Sequence, residues 1–358
     1  MRKIIAKIHL KHIRDNARAL KSLTKTRLCA VVKANAYGHG AEEVTNALCG
    51  IADCFAVALL CEAVSIRVAA CGKDILILTP PSSEEDALLA AKNGFVMTVG
   101  DFQTAKLLVN VSEKYGVRVR LHCKTNTGMN RYGMNASMLG RVCAYLSNRP
   151  LVSVEGMYSH LYGSTVESAE KQRGLFLQMQ SVFRRYFPHG ICHLSATFGT
   201  LLGDRFAFDM VRVGIGLYGY LPSGGVLLDG AKRLRLKKGM TVYAEVAASR
   251  RYAQGGAGYG EEKPLLKKGE RLTVLRCGYA DGFLRNRKNG TCGFERNVNE
   301  LCMDACVRKG STAKSGEKKG ALLPVMTDAD ETAKAAGTIS YEVLCAATRR
   351  AETVYDYE

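Results

Sequence analysis

The sequence LCAVVK at residues 28–33 is a short apolar run that ends in a lysine, and ANAYGHG follows it at residues 34–40. Such a run, rich in apolar and β-branched residues, is typical of a buried strand. It is the first of eight strand-like runs in the first two-thirds of the chain. The others cover residues 54–60, 74–79, 95–99, 117–124, 152–160, 191–196 and 210–213.

Helical patterns separate these runs. Ile13, Ala17, Leu20 and Leu23 share one helical face, as do Leu175, Met179, Val182 and Phe183. Eight strands that alternate with helices predict an α/β fold, a parallel (β/α)8 barrel of the TIM type, rather than an open doubly wound sheet.

The character of the sequence changes after Gly219. A Gly- and Lys-rich connector at residues 223–238 precedes strand-like runs at 241–247, 271–276 and 321–326, which have no helical patterns between them. We therefore predict a barrel domain at residues 1–232 and a mostly β domain at residues 233–358. The strand-like segment 4–10 precedes the eight barrel strands and is a candidate to pair with the second domain.

The charge balance bears on possible partners. The chain has 358 residues, 47% of them hydrophobic, and 51 basic against 33 acidic side chains give a net charge of +18. The basic residues are spread along the chain without a dense arm, which favours a solvated basic surface or a funnel for anionic ligands over a nucleic-acid partner. No apolar run is long enough to span a bilayer, so we expect no membrane partner.

The cysteines indicate a compartment. There are 13 of them and no C-x-x-C pair, and Cys302 and Cys306 lack histidines at metal-ligand spacing. We therefore expect no metal site. No signal peptide precedes the first strand-like segment, so the cysteines are expected to be small apolar side chains in a reducing cytoplasm.

Lys33 is the first candidate for chemistry. A lysine at the carboxyl end of a buried strand is partly desolvated, which favours the neutral, nucleophilic amine. The alternative is a lysine whose ammonium group reaches solvent at a strand end.

Other polar candidates also fall at the ends of strands. In a barrel, these ends form one face, where active sites lie. Hydroxyls after the seventh strand and glycines after the eighth suit a phosphate site, because glycine lets the backbone approach the anion. The candidates on this face are Lys33, Lys124, Arg131, His160, Ser195, Thr197, Arg212, Gly214 and Gly216.

The string GIGLYG at residues 214–219 also fits G-x-G-x-x-G. A dinucleotide site requires this string to open a helix inside a βαβ unit. Here it comes late and a loop follows it, so the Rossmann interpretation is disfavoured.

Eight segments together resemble the alanine racemases. VVKANAYGHG at 31–40 resembles the cofactor-lysine signature of that family. The resemblance continues in the family's order and covers nearly the whole chain, with KTNTGMNR at 124–131, SH at 159–160, VRVGI at 211–215, GYG at 258–260, GYADG at 278–282, CMD at 302–304 and YEVLC at 341–345.

The resemblance implies a pyridoxal 5'-phosphate enzyme with a composite site in a homodimer. Lys33 would bind the cofactor as a Schiff base and act as one catalytic base, and Tyr259 of a partner chain would be the second. Arg131 would contact the cofactor and the substrate carboxylate, His160 would pack near the pyridine ring, and Arg212 would pair with the ring nitrogen. The residues implied for the phosphate are Tyr37, Thr197, Gly214, Ile215 and Tyr341, and those implied for the substrate or its entrance are Arg131, Met303 and Tyr279.

These roles suit racemisation. The α-proton leaves one face of a planar carbanion and a proton returns to the other, so two opposed bases, such as Lys33 and Tyr259, are required. A guanidinium at Arg212 keeps its proton and leaves the ring a weaker electron sink. The alternatives are an ordinary ion pair of Arg212, for instance with Asp209, and a turn position for Tyr259.

Three positions depart from, or vary within, the family pattern. Asn126 stands where many members have Asp, and Thr197 stands where Ser is usual. Ser195 is a weaker phosphate candidate than Thr197. Carbamylation of the residue at Lys124 occurs in part of the family, and the sequence leaves it open here.

The leading hypothesis is an isomerase, an alanine racemase that supplies D-alanine for peptidoglycan. The closest alternative is a racemase for serine or for a broader set of amino acids. A protein that only binds pyridoxal phosphate is another class, but it has no need of Tyr259 and Met303. A related decarboxylase also combines a barrel with a β domain, but the ANAY and GYG segments resemble racemases far more closely.

Overall fold

A computed structural model describes residues 3–222, 234–251, 271–285, 298–310 and 318–358. All eight predicted barrel strands are present within it. They are β2 (Arg27–Val31), β3 (Cys54–Val57), β4 (Ile75–Ile77), β5 (Val96–Val99), β6 (Val119–Lys124), β7 (Val152–Tyr158), β8 (Ile191–His193) and β9 (Met210–Val213).

These strands form one parallel sheet in the order β8-β7-β6-β5-β4-β3-β2-β9. Two further backbone bonds link its ends, from Asp209 N–H to Cys192 O at 3.0 Å and from Arg212 N–H to Ser195 O at 2.9 Å. The helices that follow the strands are Ala41–Leu48, Leu60–Ile66, Glu84–Lys92, Phe102–Tyr115, Ala136–Leu146, Val166–Arg184 and Thr197–Leu201. The prediction of a parallel eight-stranded barrel-like sheet is confirmed.

Local signals set the helix bounds. The helix Phe102–Tyr115 begins after Asp101, whose carboxylate accepts the N–H of Thr104 at 2.7 Å, and ends at Gly116, which adopts a left-handed conformation with φ 62°. In the helix Val166–Arg184 the prediction is corrected at one position. Leu175 is exposed, and the buried stripe passes through Phe176 instead.

The second sheet is mostly antiparallel, in agreement with the prediction of a mostly β domain. Its strands are β1 (Ile4–His9), β10 (Met240–Arg251), β11 (Arg271–Leu275), β12 (Val298–Leu301), β13 (Cys306–Gly310), β14 (Leu322–Met326) and β15 (Glu352–Asp356). The strand order is β12-β13-β11-β10-β1-β15, and β14 also pairs with β10. β1 pairs antiparallel with β10 and parallel with β15.

Two helices in this part of the chain, Ala329–Ala336 and Ser340–Ala347, were not predicted. Their signals are present in the sequence. The Asp328 side chain accepts the N–H of Asp330 at 2.8 Å, and Gly337 ends the first helix in a left-handed conformation with φ 73°.

The chain divides into two compact units. One comprises residues 1–12, 37–40 and 238–358, and the other comprises residues 13–36 and 41–237. The predicted boundary at 232/233 falls outside the described residues. Within the part of the chain that is described, no helix has the length and apolar character needed to cross a bilayer.

Candidate active site

The carboxyl ends of the barrel strands bring the candidate residues of this unit to one face. Lys33 lies two residues beyond β2, Lys124 is the last residue of β6, and His160 follows β7 by two residues. Thr197 follows β8 and Arg212 lies in β9. The sequence placed these residues at strand ends, and the parallel sheet places all those ends on the same side.

The chain after Lys33 has an unusual backbone. Ala34, Asn35, Ala36 and Tyr37 have φ values of 52, 53, 52 and 53°. For residues with a side chain, this left-handed conformation costs roughly 1–2 kcal/mol each, and runs of it are rare. Because each of these residues carries such a cost, the turn persists only where surrounding contacts hold it.

Arg212 is buried and makes an extensive set of hydrogen bonds. Its guanidinium donates to the carbonyls of His193 at 3.1 Å, Ser159 at 2.6 Å and Leu194 at 3.2 Å. It also lies 2.8 Å from Nδ1 of His193 and 3.4 Å from Nδ1 of His160. All of these acceptors are neutral.

The alternative interpretation of Arg212 as an ordinary ion pair is not supported by these contacts. Asp209 instead pairs with Arg184 at 3.2 Å and accepts the N–H of Cys192 at 2.7 Å. Among the residues that the structure describes, no acidic side chain forms an ion pair with Arg212. The guanidinium is therefore a buried positive charge without a carboxylate partner in the described chain.

Two histidines that the sequence analysis missed extend this arrangement. Nδ1 of His122 lies 2.9 Å from Nε2 of His193. Burial lowers the pKa of His122 to about 3 and that of His193 well below its usual value, so both rings are neutral. Because Arg212 is always a donor, His193 must accept at Nδ1 and donate from Nε2 to His122. One tautomer of each ring is thereby selected.

The pKa of His160 reflects the charges that surround its ring. Its pKa is well below the usual value, first because of burial and then because of the nearby basic side chains of Arg212, Lys124, Arg131 and Lys33. Four basic side chains around one imidazole create a positive potential at the end of the barrel. Such a region suits an anionic ligand.

Lys124 is buried, and its Nζ lies 4.6 Å from the centre of the Tyr158 ring. Burial, followed by the charges of Arg212 and Arg131, lowers the pKa of its amine well below the usual value. The amine is therefore far more available in its neutral form than that of a surface lysine.

Arg131 lies in the loop after β6, and Asn126 organises that loop. The Asn126 side-chain oxygen accepts the N–H groups of Gly128 at 2.9 Å and Asn130 at 3.1 Å, and its amide donates to the Asn130 side chain at 2.9 Å. Asn126 N–H binds Met134 O at 2.9 Å and closes the base of the loop. An aspartate could accept the same two N–H bonds, so Asn126 preserves that role.

The two hydroxyls after β8 are used differently. The Ser195 hydroxyl donates to the carbonyl of Phe206 at 2.6 Å inside the barrel unit. Its proton is therefore already engaged in a hydrogen bond. Thr197 accepts the N–H of Gly216 at 3.2 Å and thereby joins the end of β8 to the turn after β9 that contains Gly214 and Ile215. A Cβ at Gly216 would lie 2.9 Å from Thr197 Cγ2, so the close approach requires glycine.

Two predicted phosphate residues belong to the other unit. The rings of Tyr37 and Tyr341 lie 6.0 Å apart. Burial raises the pKa of Tyr37 above its usual value and that of Tyr341 to about 12, so both are protonated donors at neutral pH. A Cβ at Gly38 would lie 2.4 Å from Leu344 O, so the chain after Tyr37 packs closely on the helix Ser340–Ala347.

Tyr279 and Met303 lie side by side in the same unit. Tyr279 N–H binds Cys302 O at 3.0 Å and Ala280 N–H binds Met303 O at 3.0 Å. A Cβ at Gly278 would lie 2.3 Å from Met303 O, which explains the glycine. Both side chains are exposed. Tyr259 and its neighbours Gly258 and Gly260 lie outside the described residues.

The described part of the chain contains no group of three or more histidine, cysteine, aspartate or glutamate side chains that could hold a metal ion. Separately, the basic side chains, hydroxyls and glycines at the carboxyl end of the barrel are residue types that suit the binding of an anion.

Comparisons with known proteins agree over nearly the whole length. The family model "Alanine racemase, N-terminal domain" matches residues 8–222, and "Alanine racemase, C-terminal domain" matches residues 239–355. The chain is 32% identical to the alanine racemase of Desulfovibrio desulfuricans, over 99% of this chain and 98% of that protein. It is 30% identical to the alanine racemase of a Nostoc species, over 94% and 92%.

Solved structures give the same result. The alanine racemase of Clostridium difficile 630 matches with a TM-score of 0.90 at 28% identity, over 100% of this chain and 96% of that one. The biosynthetic alanine racemase of Pseudomonas aeruginosa matches with a TM-score of 0.87 at 27% identity, over 100% of both chains. On this evidence, the chain belongs to the alanine racemase family.

Proposed function

We propose that the protein is an isomerase, an alanine racemase that interconverts L- and D-alanine. The observation that carries the proposal is the similarity to alanine racemases across both domains, at 32% identity over 99% of the chain. The buried basic site at the carboxyl end of the barrel supports it, because the substrate is a carboxylate.

We propose pyridoxal 5'-phosphate as the cofactor, and the described residues fit it. The group carries a phosphate, a phenolate and a pyridine ring, and four basic side chains act on His160 at the site. Lys33 would bind the aldehyde carbon. The phosphate would be held by Tyr37, Thr197, Gly214, Ile215 and Tyr341, of which Thr197 already contacts the turn after β9.

When bound, the cofactor supplies an electron sink that acidifies the substrate Cα–H. Arg212 would face the ring nitrogen. Its proton stays on the guanidinium because five neutral acceptors hold the group, and a guanidinium does not act as an acid at physiological pH. This favours proton exchange over side reactions that need a longer-lived carbanion.

Lys33 and Tyr259 would move the proton. One of them would remove the α-proton from one face of the substrate, and the other would donate a proton to the opposite face. The two groups would exchange these roles when the reaction runs in the other direction. Arg131 would hold the substrate carboxylate, and His160, neutral because of its lowered pKa, would pack against the ring without adding charge.

We further propose a homodimer in which Tyr259, Tyr279 and Met303 of one chain complete the site of its partner. The exposure of Tyr279 and Met303 supports this arrangement, since both side chains remain available to another chain. Sedimentation that shows an active monomer would contradict it. The family resemblance supports a cytoplasmic enzyme whose D-alanine enters peptidoglycan.

The direct test is chiral analysis of alanine after incubation with the protein and pyridoxal phosphate in deuterated water. We expect both enantiomers to form, with deuterium at Cα. Absence of exchange in cofactor-saturated protein would overturn the activity. Borohydride reduction should label Lys33, and labelling of another side chain would overturn the cofactor assignment. Specificity constants for alanine, serine and lysine distinguish an alanine racemase from a broader one.

A further inference from the structure

Glu62 makes three hydrogen bonds to backbone N–H groups through its two carboxylate oxygens. Oε2 accepts from Ala58 at 2.8 Å and from Leu59 at 3.0 Å. Oε1 accepts from Ala34 at 2.6 Å, across 28 residues of sequence. Ala34 is the residue that follows Lys33.

The two oxygens serve different purposes. Glu62 is the third residue of the helix Leu60–Ile66, and its Oε2 binds the N–H of the residue before that helix, as in a capping box. Helix capping accounts for Oε2 alone. The bond from Oε1 lies outside the helix and reaches the end of a neighbouring barrel strand.

That bond reaches the left-handed turn that follows Lys33. Ala34 is the first of the four consecutive residues in the left-handed conformation, and its N–H is at an exposed position. The next residue of the turn is held as well, because the side-chain oxygen of Asn35 accepts the N–H of Ala41 at 2.8 Å. A conformation that costs energy at each residue persists only when such contacts hold it.

We propose that Glu62 is a positioning residue for Lys33. Its Oε1 fixes the backbone of Ala34, and the fixed turn sets the direction in which the Lys33 side chain leaves β2. The proposal rests on the proposed function of Lys33 as the cofactor-binding lysine and base. Loss of the bond frees the turn to relax from its left-handed conformation and moves the amine away from its working position.

Glu62→Gln separates the two purposes of the side chain. The amide oxygen can still cap the helix, but the NH2 group that then faces Ala34 is a donor and cannot accept its N–H. Glu62→Ala removes both. Asp101→Ala is the matched control, because Asp101 caps a helix of the same barrel and contacts Thr104 rather than the turn.

The first measurement is hydrogen exchange of the Ala34 amide in cofactor-free protein. We expect Glu62→Gln and Glu62→Ala to speed exchange at Ala34 about tenfold or more, the effect of losing a hydrogen bond to a charged group. Asp101→Ala should leave it unchanged. Equal exchange at Ala34 in the wild type and both Glu62 variants would overturn the proposal.

The second measurement is the reaction of Lys33 itself. We expect Glu62→Gln to slow borohydride trapping of pyridoxal phosphate on Lys33 and to lower kcat about tenfold, with KM changed less than twofold, because misplacement of a reacting group affects the chemical step. If Asp101→Ala lowers kcat and the trapping rate by the same factor, Glu62 acts only through the stability of the fold and does not position Lys33. If the chain racemises no amino acid, the exchange and trapping results still decide the proposal independently.

Discussion

The imidazole ring of His193 stacks on the phenol ring of Tyr158, with ring centres 4.9 Å apart and an angle of 5° between the planes. The Tyr158 hydroxyl is itself held 2.7 Å from that of Thr98, so the ring cannot turn freely. The stacking fixes the plane of His193, and that plane directs Nδ1 at Arg212. The orientation of the buried cation is thus set by residues of three other strands.

His193→Leu tests this arrangement. The substitution leaves one N–H of Arg212 and Nδ1 of His122 without the partners they have now, so we expect the free energy of unfolding to fall by roughly 1–3 kcal/mol. Chemical denaturation measures it. The control is His189→Leu at an exposed position, where a change within about 0.5 kcal/mol is expected. Equal effects of the two would contradict the role of His193.

The buried histidines predict an acid-labile fold. The pKa of His122 falls from an ordinary 6.5 to about 3 on folding. Between these values the unfolded chain binds a proton that the folded chain does not, so stability decreases as pH falls through this window, by ~1.4 kcal/mol per pH unit. His193 and His160 act in the same direction.

The measurement is the free energy of unfolding from about pH 6 to about pH 4 for the wild type and His122→Gln. Glutamine does not titrate, so we expect the dependence of the variant to be shallower by about 1.4 kcal/mol per pH unit. Parallel curves would show that His122 is charged in the folded protein.

Gly216→Ala should affect cofactor binding through the contact between β8 and β9. The new Cβ would lie 2.9 Å from Thr197 Cγ2 and 3.0 Å from Leu20 Cδ1, so these groups must shift, at a cost of about 1–3 kcal/mol. We expect a higher Kd for pyridoxal phosphate, which means weaker binding, and a lower Tm. Gly174→Ala is the control, because nothing lies within 4 Å of its Cβ in the helix Val166–Arg184. There the change should be neutral or stabilising by up to ~1 kcal/mol. An unchanged Kd in Gly216→Ala would contradict a role of the Thr197–Gly216 contact in binding the phosphate.

Tyr259→Phe should lower racemisation by about 10²–10⁴-fold, the usual contribution of a general acid–base group. The absorption band of the cofactor bound to Lys33 should remain, because Lys33 is intact. Turnover and absorbance measured on the same sample separate these effects. Tyr186→Phe, at an exposed position of the barrel unit, should retain full activity. Unchanged turnover in Tyr259→Phe would eliminate the scheme with two bases.

Local sequence determined much of this protein. Apolar runs of strand length, alternating with amphipathic stretches, were sufficient for the eight strands, because burial on both faces requires continuous apolar residues. The strand ends were predicted up to three residues too long. Residues 58–60, for example, were assigned to a strand, but there the chain leaves β3 and enters the helix Leu60–Ile66. The prediction of Lys33 as the cofactor lysine came from motifs alone, since the residues that carry the resemblance are its neighbours in sequence.

The tertiary structure decided how the site is supported. His122, His193 and Arg212 come from three strands separated by 71 and 19 residues, and Glu62 reaches Ala34 across 28. The periodicity of the sequence does not predict such pairs, because side-chain hydrogen bonds depend on strand register. One example is the register shift between β6 and β7 at Leu121 and His122. Register is fixed only when the sheet assembles. The residues proposed to react can therefore be predicted from local motifs, whereas the residues that contact and orient them are decided by the assembled sheet.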